Sequence, residues 1–170
     1  MSAEATAPAT GVAAREALMR AYLDAWNAHD PAAVAAFFAP GAVYDDTGAG
    51  ETARGQEAVR AHAASVMTAF PDLRFELVRA AHGDDFTAGE WRSEMTHTGA
   101  IAGLAPSGRR VTSAGVDVAT LDAEGRISRL ASYYDGAAIL RDLGVLPARH
   151  SRAERALVAL VSLPRRLRGR

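Results

Sequence analysis

The sequence contains no cysteine and no lysine. Without cysteine there is no disulfide, no thiolate nucleophile and no thiolate metal site. Because all 19 basic residues are arginine, Schiff-base catalysis and the lysine of a phosphate-binding P-loop are excluded as well. No apolar stretch approaches the roughly 18 residues that a transmembrane helix needs, and the opening MSAEATAPAT does not resemble a secretory signal. We therefore expect a cytoplasmic protein.

The composition suits one globular domain with an acidic body. Of the 170 residues, 49% are hydrophobic and 23% are charged, which is enough apolar surface for a sizeable core. Residues 149–170 contain seven Arg and one Glu and therefore have a net charge of +6. Because the net charge of the whole chain is −1, residues 1–148 have a net charge of −7. An acidic body is a poor binder of nucleic acid.

The basic end of the chain has its own pattern. Ser151-Arg-Ala-Glu154 is a capping box, and it opens an apolar run that ends in several arginines. We expect either an appended helix or a weak contact with an anionic surface or a partner through residues 151–170.

Apolar spacing and turn residues predict the order of the secondary structure. Asp30-Pro31 combines an N-cap with a proline at the first helical position, and residues 47–55 read as a glycine-rich loop. The predicted helices cover residues 13–28, 31–38, 57–70 and 137–143, and the predicted strands cover residues 42–44, 72–82, 86–97, 110–121 and 127–134.

Consecutive strands with short turns indicate an antiparallel sheet, and helices grouped before them indicate the α+β class. We predict a cone-shaped, strongly curved antiparallel sheet, wrapped by three helices around one apolar pocket, with a short C-terminal helix. Residues 1–12 would be a flexible tail, residues 13–146 the cone domain and residues 147–170 a basic amphipathic extension.

Four side chains are the first candidates for chemistry. Asp46 follows a strand and could be a base near a pocket mouth, or it could cap a turn. Asp117 lies in mid-strand, where an inward orientation would raise its pKa and an outward one would leave it solvated. Tyr22 belongs to a helix stripe that is also typical of plain core. His97 could shuttle protons or be satisfied by the backbone.

Strand alternation sorts the next candidates into faces. Trp91 and His97 share one face of their strand, while Arg92 and Glu94 share the other. Tyr134 is in phase with Ser132, so we expect it to enter the cavity. The spacing of the five histidines matches no metal motif, and we expect neither a metal nor a cofactor.

Four segments carry a resemblance to a known family: residues 22–30 (YLDAWNAHD), 96–99 (THTG), 103–109 (GLAPSGR) and 137–144 (AAILRDLG). They resemble the SnoaL-like polyketide cyclase group of the nuclear-transport-factor-2-like superfamily. This superfamily also includes ketosteroid isomerases and limonene-type epoxide hydrolases. The resemblance implies the cone fold, a small hydrophobic or polycyclic substrate, no cofactor, and a homodimer through the sheet face of Val116 and Val118.

The resemblance also implies roles for individual residues. Tyr22, Asp46 and Asp117 match the Tyr–Asp–Asp set of ketosteroid isomerases, in which one Asp moves the proton while Tyr and a protonated Asp hold the oxyanion. Asp46 would therefore be the base. The residues implied to contact the substrate are Trp26, Tyr44, Trp91, His97, Ser132 and Tyr134.

Two departures from related enzymes keep alternatives open. The cyclases use an Asp where Ser132 stands and a His where Asp117 stands. Arg92 and Glu94 resemble the Arg-x-Asp pair of epoxide hydrolases, whose second Asp again falls on Ser132. We predict acid–base isomerisation or cyclisation of a polyketide- or steroid-like ketone. An epoxide hydrolase or epoxide-opening cyclase, and a non-catalytic binder of a hydrophobic ligand, are the alternatives.

Overall fold

A computed structural model describes residues 11–162 of the chain. In this range the helices are α1 (Val12–Asn27), α2 (Pro31–Ala36), α3 (Gln56–Ala69), α4 (Gly136–Asp142) and α5 (Arg152–Ser162). The strands are β1 (Phe38–Asp46), β2 (Glu51–Arg54), β3 (Arg74–His82), β4 (Phe86–Thr96), β5 (Arg110–Leu121) and β6 (Ile127–Tyr134). Most of the predicted tail, residues 1–10, and the arginine-rich end, residues 163–170, lie outside the described residues.

The six strands form one curved, unclosed sheet in the order β2-β1-β6-β5-β4-β3. This sheet and the helices confirm the predicted α+β class. Neighbouring strands are antiparallel except for β1 and β6, which run parallel. A purely antiparallel sheet was therefore the wrong expectation for this pair. Parallel neighbours need a long crossover, and here the crossover contains every element between β1 and β6.

Strand β1 begins earlier than its sequence predicts. The second helix stops at Ala36 instead of residue 38, because the Ile127 amide donates to the Phe37 carbonyl at 2.9 Å and draws the chain into the sheet. The β1–β6 register then shifts between Phe38 and Val43. Pro40 lies in this interval, and a proline has no amide to donate to the ladder.

Strand β2 occupies part of the predicted glycine-rich loop. It pairs with the end of β1, so that Asp46 faces Glu51 across the hairpin. A four-residue edge strand of sequence ETAR has no alternating apolar pattern, and the sequence therefore contained no strand signal there.

Helix α1 packs closely against the inner face of the sheet. Its buried side chains include Met19, Tyr22, Leu23 and Trp26, which follow the spacing of one helical face. At Gly89 of β4, an added Cβ would lie 2.8 Å from Cγ of Met19. The missing side chain thus lets the helix approach the sheet, and this approach holds Tyr22 and Trp26 above the strands.

Helix α5 carries its apolar side chains on the outside. The amide of Glu154 donates to Oγ of Ser151 at 3.0 Å, which confirms the predicted cap. Leu157, Val158 and Leu160 are all exposed. None of the helices within residues 11–162 combines the length and hydrophobicity of a membrane span. The contact of this segment with an anionic surface or a partner stays a prediction.

Candidate active site

A cavity of about 290 Å³ lies between the inner face of the sheet and the helices. Residues of α1, α3 and α4 line it together with β1, β4, β5 and β6. Its aromatic lining residues are Tyr22, Trp26, Tyr44, Phe70, Phe75, Trp91 and Tyr134. Its ionisable lining residues, apart from these tyrosines, are Asp46, Glu51, His62 and Asp117.

Asp117 lines this cavity from the middle of β5 and is only 4% exposed. Its Oδ1 accepts hydrogen bonds from Nε1 of Trp91 at 2.9 Å and from Oγ of Ser132 at 2.6 Å. No described residue donates to Oδ2. Burial raises the pKa of Asp117 to about 6, and the negative charge of Asp46 adds to the rise, although the two hydrogen bonds oppose it.

Two features of the sheet bring the partners of Asp117 together. Ser132 is the direct cross-strand neighbour of Asp117, so both side chains project from the same face. At Gly115, an added Cβ would lie 2.5 Å from Cζ2 of Trp91. Because glycine has no side chain, the indole of Trp91 can lie over β5 and reach Asp117.

Asp46 ends β1 and lies in a network of donors. Its Oδ1 accepts from the Tyr134 hydroxyl at 2.6 Å and from the Ala49 amide at 3.0 Å. Its Oδ2 lies 3.4 Å from Nε2 of His62. Burial raises the pKa of Asp46, but the hydrogen bonds from His62, Tyr134 and Ala49 outweigh it and hold the pKa below its ordinary value. Asp46 is therefore a stable carboxylate at neutral pH.

His62 links Asp46 to Glu51 and was not among the site residues predicted from the sequence. Its Nδ1 lies 3.4 Å from Oε2 of Glu51, and its ring packs edge-on against Tyr44 at 5.0 Å between centroids. The available signal was a histidine on the apolar stripe of α3. That signal is weak, because such a histidine is equally compatible with a satisfied core residue.

The remaining predicted contact residues lie on several walls of the cavity. Tyr22, Trp26 and Tyr44 are buried and line it. The pKa of Tyr22 is raised well above its ordinary value by burial and then by the charge of Asp117, so this residue is a neutral phenol. Tyr134 lines the cavity while Tyr133 is 53% exposed, which confirms the predicted alternation.

His97 is buried and is not among the residues that line the described cavity, so its contact with the substrate stays a prediction. The loop after β4 covers the ring, since Nδ1 accepts from the Ser107 amide at 3.2 Å. In turn, that loop supplies Ile101 and Leu104 as lining residues, which the sequence did not indicate.

Arg92 and Glu94 both face away from the cavity and are exposed. Glu94 pairs with Arg110 of the adjacent strand. The Arg-x-Asp-like pair that resembles the epoxide hydrolases is therefore not near Asp46 or Asp117. Within residues 11–162, no three carboxylates and histidines form a group that could hold a metal ion.

The curved sheet and the helices enclose a cavity of the kind that accommodates a small molecule. The SnoaL-like polyketide cyclase family model matches residues 16–143. The chain belongs to this family. No curated protein sequence matches the chain significantly.

Three solved structures illustrate the similarity. AclR from Streptomyces galilaeus, a candidate hydroxylase, is 22% identical with a TM-score of 0.72, over 94% of this chain and 99% of its own. A Catenulispora acidiphila protein with a ketosteroid isomerase-like fold, solved with trimethylamine, is 20% identical with a TM-score of 0.66, over 79% and 96%. SalBIII, an epoxide hydrolase/cyclase-like enzyme of pyran ring formation in salinomycin, is 26% identical with a TM-score of 0.60, over 71% and 89%. Family and neighbours support a cyclase-type function on a small molecule.

Proposed function

We propose that the protein catalyses cofactor-independent acid–base chemistry on an enolisable polyketide- or steroid-like ketone, which it isomerises or closes into a ring. The observation that carries this proposal is the second carboxylate oxygen of Asp117. This oxygen has no donor among the described residues, while the first oxygen accepts from Trp91 and Ser132, and Asp117 lines the cavity.

Asp117 is the better of the two carboxylates as a proton acceptor. A base works best when its pKa is close to the operating pH, and the pKa of Asp117 is raised to about 6. At neutral pH it is thus mostly ionised and still able to hold a proton. Asp46 has a lowered pKa, and both of its oxygens already have partners. The contacts therefore favour Asp117 as the base, whereas the isomerase resemblance implies Asp46 in that role.

Tyr22 and Asp46 complete the proposed site in different ways. The neutral hydroxyl of Tyr22 is available as a donor to a developing enolate oxygen. Asp46 acts as a positioning residue, since it holds the Tyr134 hydroxyl and faces the His62 ring.

The proposed reaction begins with proton transfer from the carbon next to the ketone to Oδ2 of Asp117. The electrons of that C–H bond form a C=C bond, and the carbonyl electrons move to oxygen, where Tyr22 donates a hydrogen bond. In an isomerisation, the ketone also carries a C=C bond that is conjugated with the enolate, and the Asp117 carboxylic acid returns the proton to the far carbon of this system as the carbonyl re-forms. In a cyclisation, the enolate carbon attacks a second carbonyl of the same molecule, and the acid protonates the new alkoxide.

The serine at the usual cyclase Asp position is compatible with this proposal. Asp117 is the direct cross-strand neighbour of Ser132, and the two side chains are hydrogen-bonded. The carboxylate is thus displaced by one strand spacing, about 5 Å, and still borders the same cavity.

The first experiment is native mass spectrometry of the purified protein, to identify a bound ligand and from it a substrate. Asp117→Asn should then lower turnover by about 10²–10⁴-fold, because an amide cannot accept the proton. Glu94→Gln is the matched control, since it neutralises a carboxylate on the outer face of the sheet. Turnover by Asp117→Asn at the rate of the unmodified protein would refute the proposal, and a tightly bound ligand that is never converted would favour the non-catalytic binder.

Epoxide opening is the second candidate, because SalBIII shares 26% identity with this chain. A protonated Asp117 could donate to the epoxide oxygen while a hydroxyl of the same ligand attacks the ring carbon, and the proton that this hydroxyl loses would return to the Asp117 carboxylate. This candidate predicts that activity rises as the pH falls below about 6, the pKa of Asp117, whereas enolisation predicts the opposite trend. A pH profile measured on the identified ligand therefore separates the two reactions.

A further inference from the structure

Acidic side chains outnumber basic ones around the cavity. Its lining residues include the carboxylates of Asp46, Glu51 and Asp117, and none of them is an arginine. His62 is the lining side chain able to carry a positive charge, and both of its ring nitrogens already face carboxylates at 3.4 Å. The electrostatic potential inside the cavity is therefore negative.

Uncompensated charge is concentrated at Asp117. The residue is 4% exposed, and its two neutral donors, Trp91 and Ser132, contact the same oxygen. Its other oxygen has no donor among residues 11–162. A buried carboxylate is stabilised by an opposite charge nearby, so the part of the cavity around Asp117 favours a cation.

Three aromatic residues of the cavity lining lie together beside Asp117, because the Trp91 indole donates to its Oδ1 and the rings of Phe75 and Tyr134 contact Trp91. The ring of Trp91 lies 5.2 Å from that of Phe75 and 6.0 Å from that of Tyr134, measured between centroids. Trp91 and Phe75 are almost perpendicular, at 87°, so their faces point in different directions. Faces of Trp, Tyr and Phe attract substituted ammonium groups within about 6 Å, and such rings also exclude the water that would screen the charge.

We infer that the cavity selects ligands bearing a positively charged, alkylated nitrogen, which would lie against the rings of Trp91, Phe75 and Tyr134, near the Asp117 carboxylate but not on the oxygen that accepts the proton. The inference rests on the proposed function, because it names the substrate class for the same cavity: a ketone that also carries a basic amine. The same charge pattern disfavours carboxylates and phosphates as ligands.

Three probes of one shape and different charge test this inference. Benzyltrimethylammonium is cationic, neopentylbenzene is its neutral carbon isostere, and benzylsulfonate carries a negative head group of similar form. Calorimetric titration of the full chain at pH 7.5 should show that the cation binds about tenfold more tightly than the neutral probe. Benzylsulfonate should bind more weakly than both. Equal affinity for the cation and its neutral isostere, or tightest binding of benzylsulfonate, would overturn the inference.

Variants assign the preference to Asp117. Asp117→Asn should lower the affinity for benzyltrimethylammonium about tenfold and leave that for neopentylbenzene unchanged. Glu94→Gln, which removes a charge from the outer face, should alter neither. If Asp117→Asn does not fold, the relative affinities of the three probes for the unmodified protein still test the inference. If the three probes do not bind in the expected order but Asp117→Asn loses turnover, only the inferred substrate class is refuted. If the probes bind in the expected order but Asp117→Asn retains turnover, only the proposed proton transfer is refuted.

Discussion

Ser132 and Asp117 face each other across β5 and β6, and the serine hydroxyl donates a 2.6 Å hydrogen bond to Oδ1 of the aspartate. Together with the indole of Trp91, this bond occupies one carboxylate oxygen of a cavity-lining residue, and the other oxygen has no donor among the described residues. The pair therefore orients the group that we propose to move the proton.

Replacing Ser132 should change the pH dependence of the reaction more than the stability of the fold. The Ser132 hydrogen bond lowers the pKa of Asp117, so Ser132→Ala should raise that pKa and shift the acid limb of the turnover profile to higher pH. Ser128→Ala is the control, because Ser128 lies on the same strand but donates to the Thr120 carbonyl. An unshifted profile in Ser132→Ala would contradict a role of Asp117 as the titrating base.

Asp117 should cost stability at neutral pH. Its pKa rises from 3.8 to about 6 on folding, so the folded state binds the proton more tightly than the unfolded chain. The associated stability is complete below pH 3.8 and is lost as the pH rises through about 6. The difference between the two pKa values corresponds to about 3 kcal/mol of unfolding free energy. As the pH rises from 4 to 7, urea unfolding should therefore show that the unfolding free energy of Asp117→Asn increases relative to that of the unmodified protein.

Asp46 should show the opposite dependence. Its pKa is lowered on folding, so its ionised form contributes stability that is present above its unfolded pKa of 3.8 and is lost as the pH falls through the folded pKa. Asp46→Asn should lower the unfolding free energy at pH 7 by about 1–3 kcal/mol, because charged hydrogen bonds are replaced by neutral ones. Turnover should fall less than in Asp117→Asn. A larger loss in Asp46→Asn would restore Asp46 as the base.

Gly115 should tolerate no side chain. An added Cβ would lie 2.5 Å from both Cζ2 of Trp91 and the Tyr133 carbonyl oxygen, so Gly115→Ala must displace the indole or the strand. We expect a loss of about 1–3 kcal/mol in unfolding free energy, as for other overpacked sites, together with altered tryptophan fluorescence. Gly41→Ala is the matched control, because an added Cβ there would meet no atom within 4 Å.

The outer face of the sheet should form a homodimer interface. Val116 and Val118 alternate with the inward-facing Asp117 and are only half-buried, and Tyr133, the cross-strand partner of Val116, is 53% exposed. Light scattering at micromolar concentration should therefore give twice the chain mass of 17.8 kDa. Tyr133→Glu should shift the mass towards the monomer, since it introduces a charge into an apolar face. A monomeric unmodified protein would reject this assembly.

The sequence by itself determined the local structure wherever short-range physics dominates. Asp30 and Pro31 specify the start of α2, and the Asp30 carboxylate does accept from the amides of Ala32 and Ala33. Alternation along a strand grouped Trp91 with His97 and Tyr134 with Ser132, and it predicted that Tyr134 enters the cavity, as the structure shows. These inferences succeed because capping and strand periodicity depend on neighbours only a few residues apart.

Only the tertiary structure decided which groups share a site and how they titrate. His62 meets Asp46 because α3 packs beside the end of β1, and His97 accepts a hydrogen bond from Ser107 because a later loop covers its ring. The pKa of a carboxyl depends on burial and on donors that come from distant parts of the chain. For this reason the spacing of Asp46 and Asp117 in the sequence could not reveal which of them is the better base.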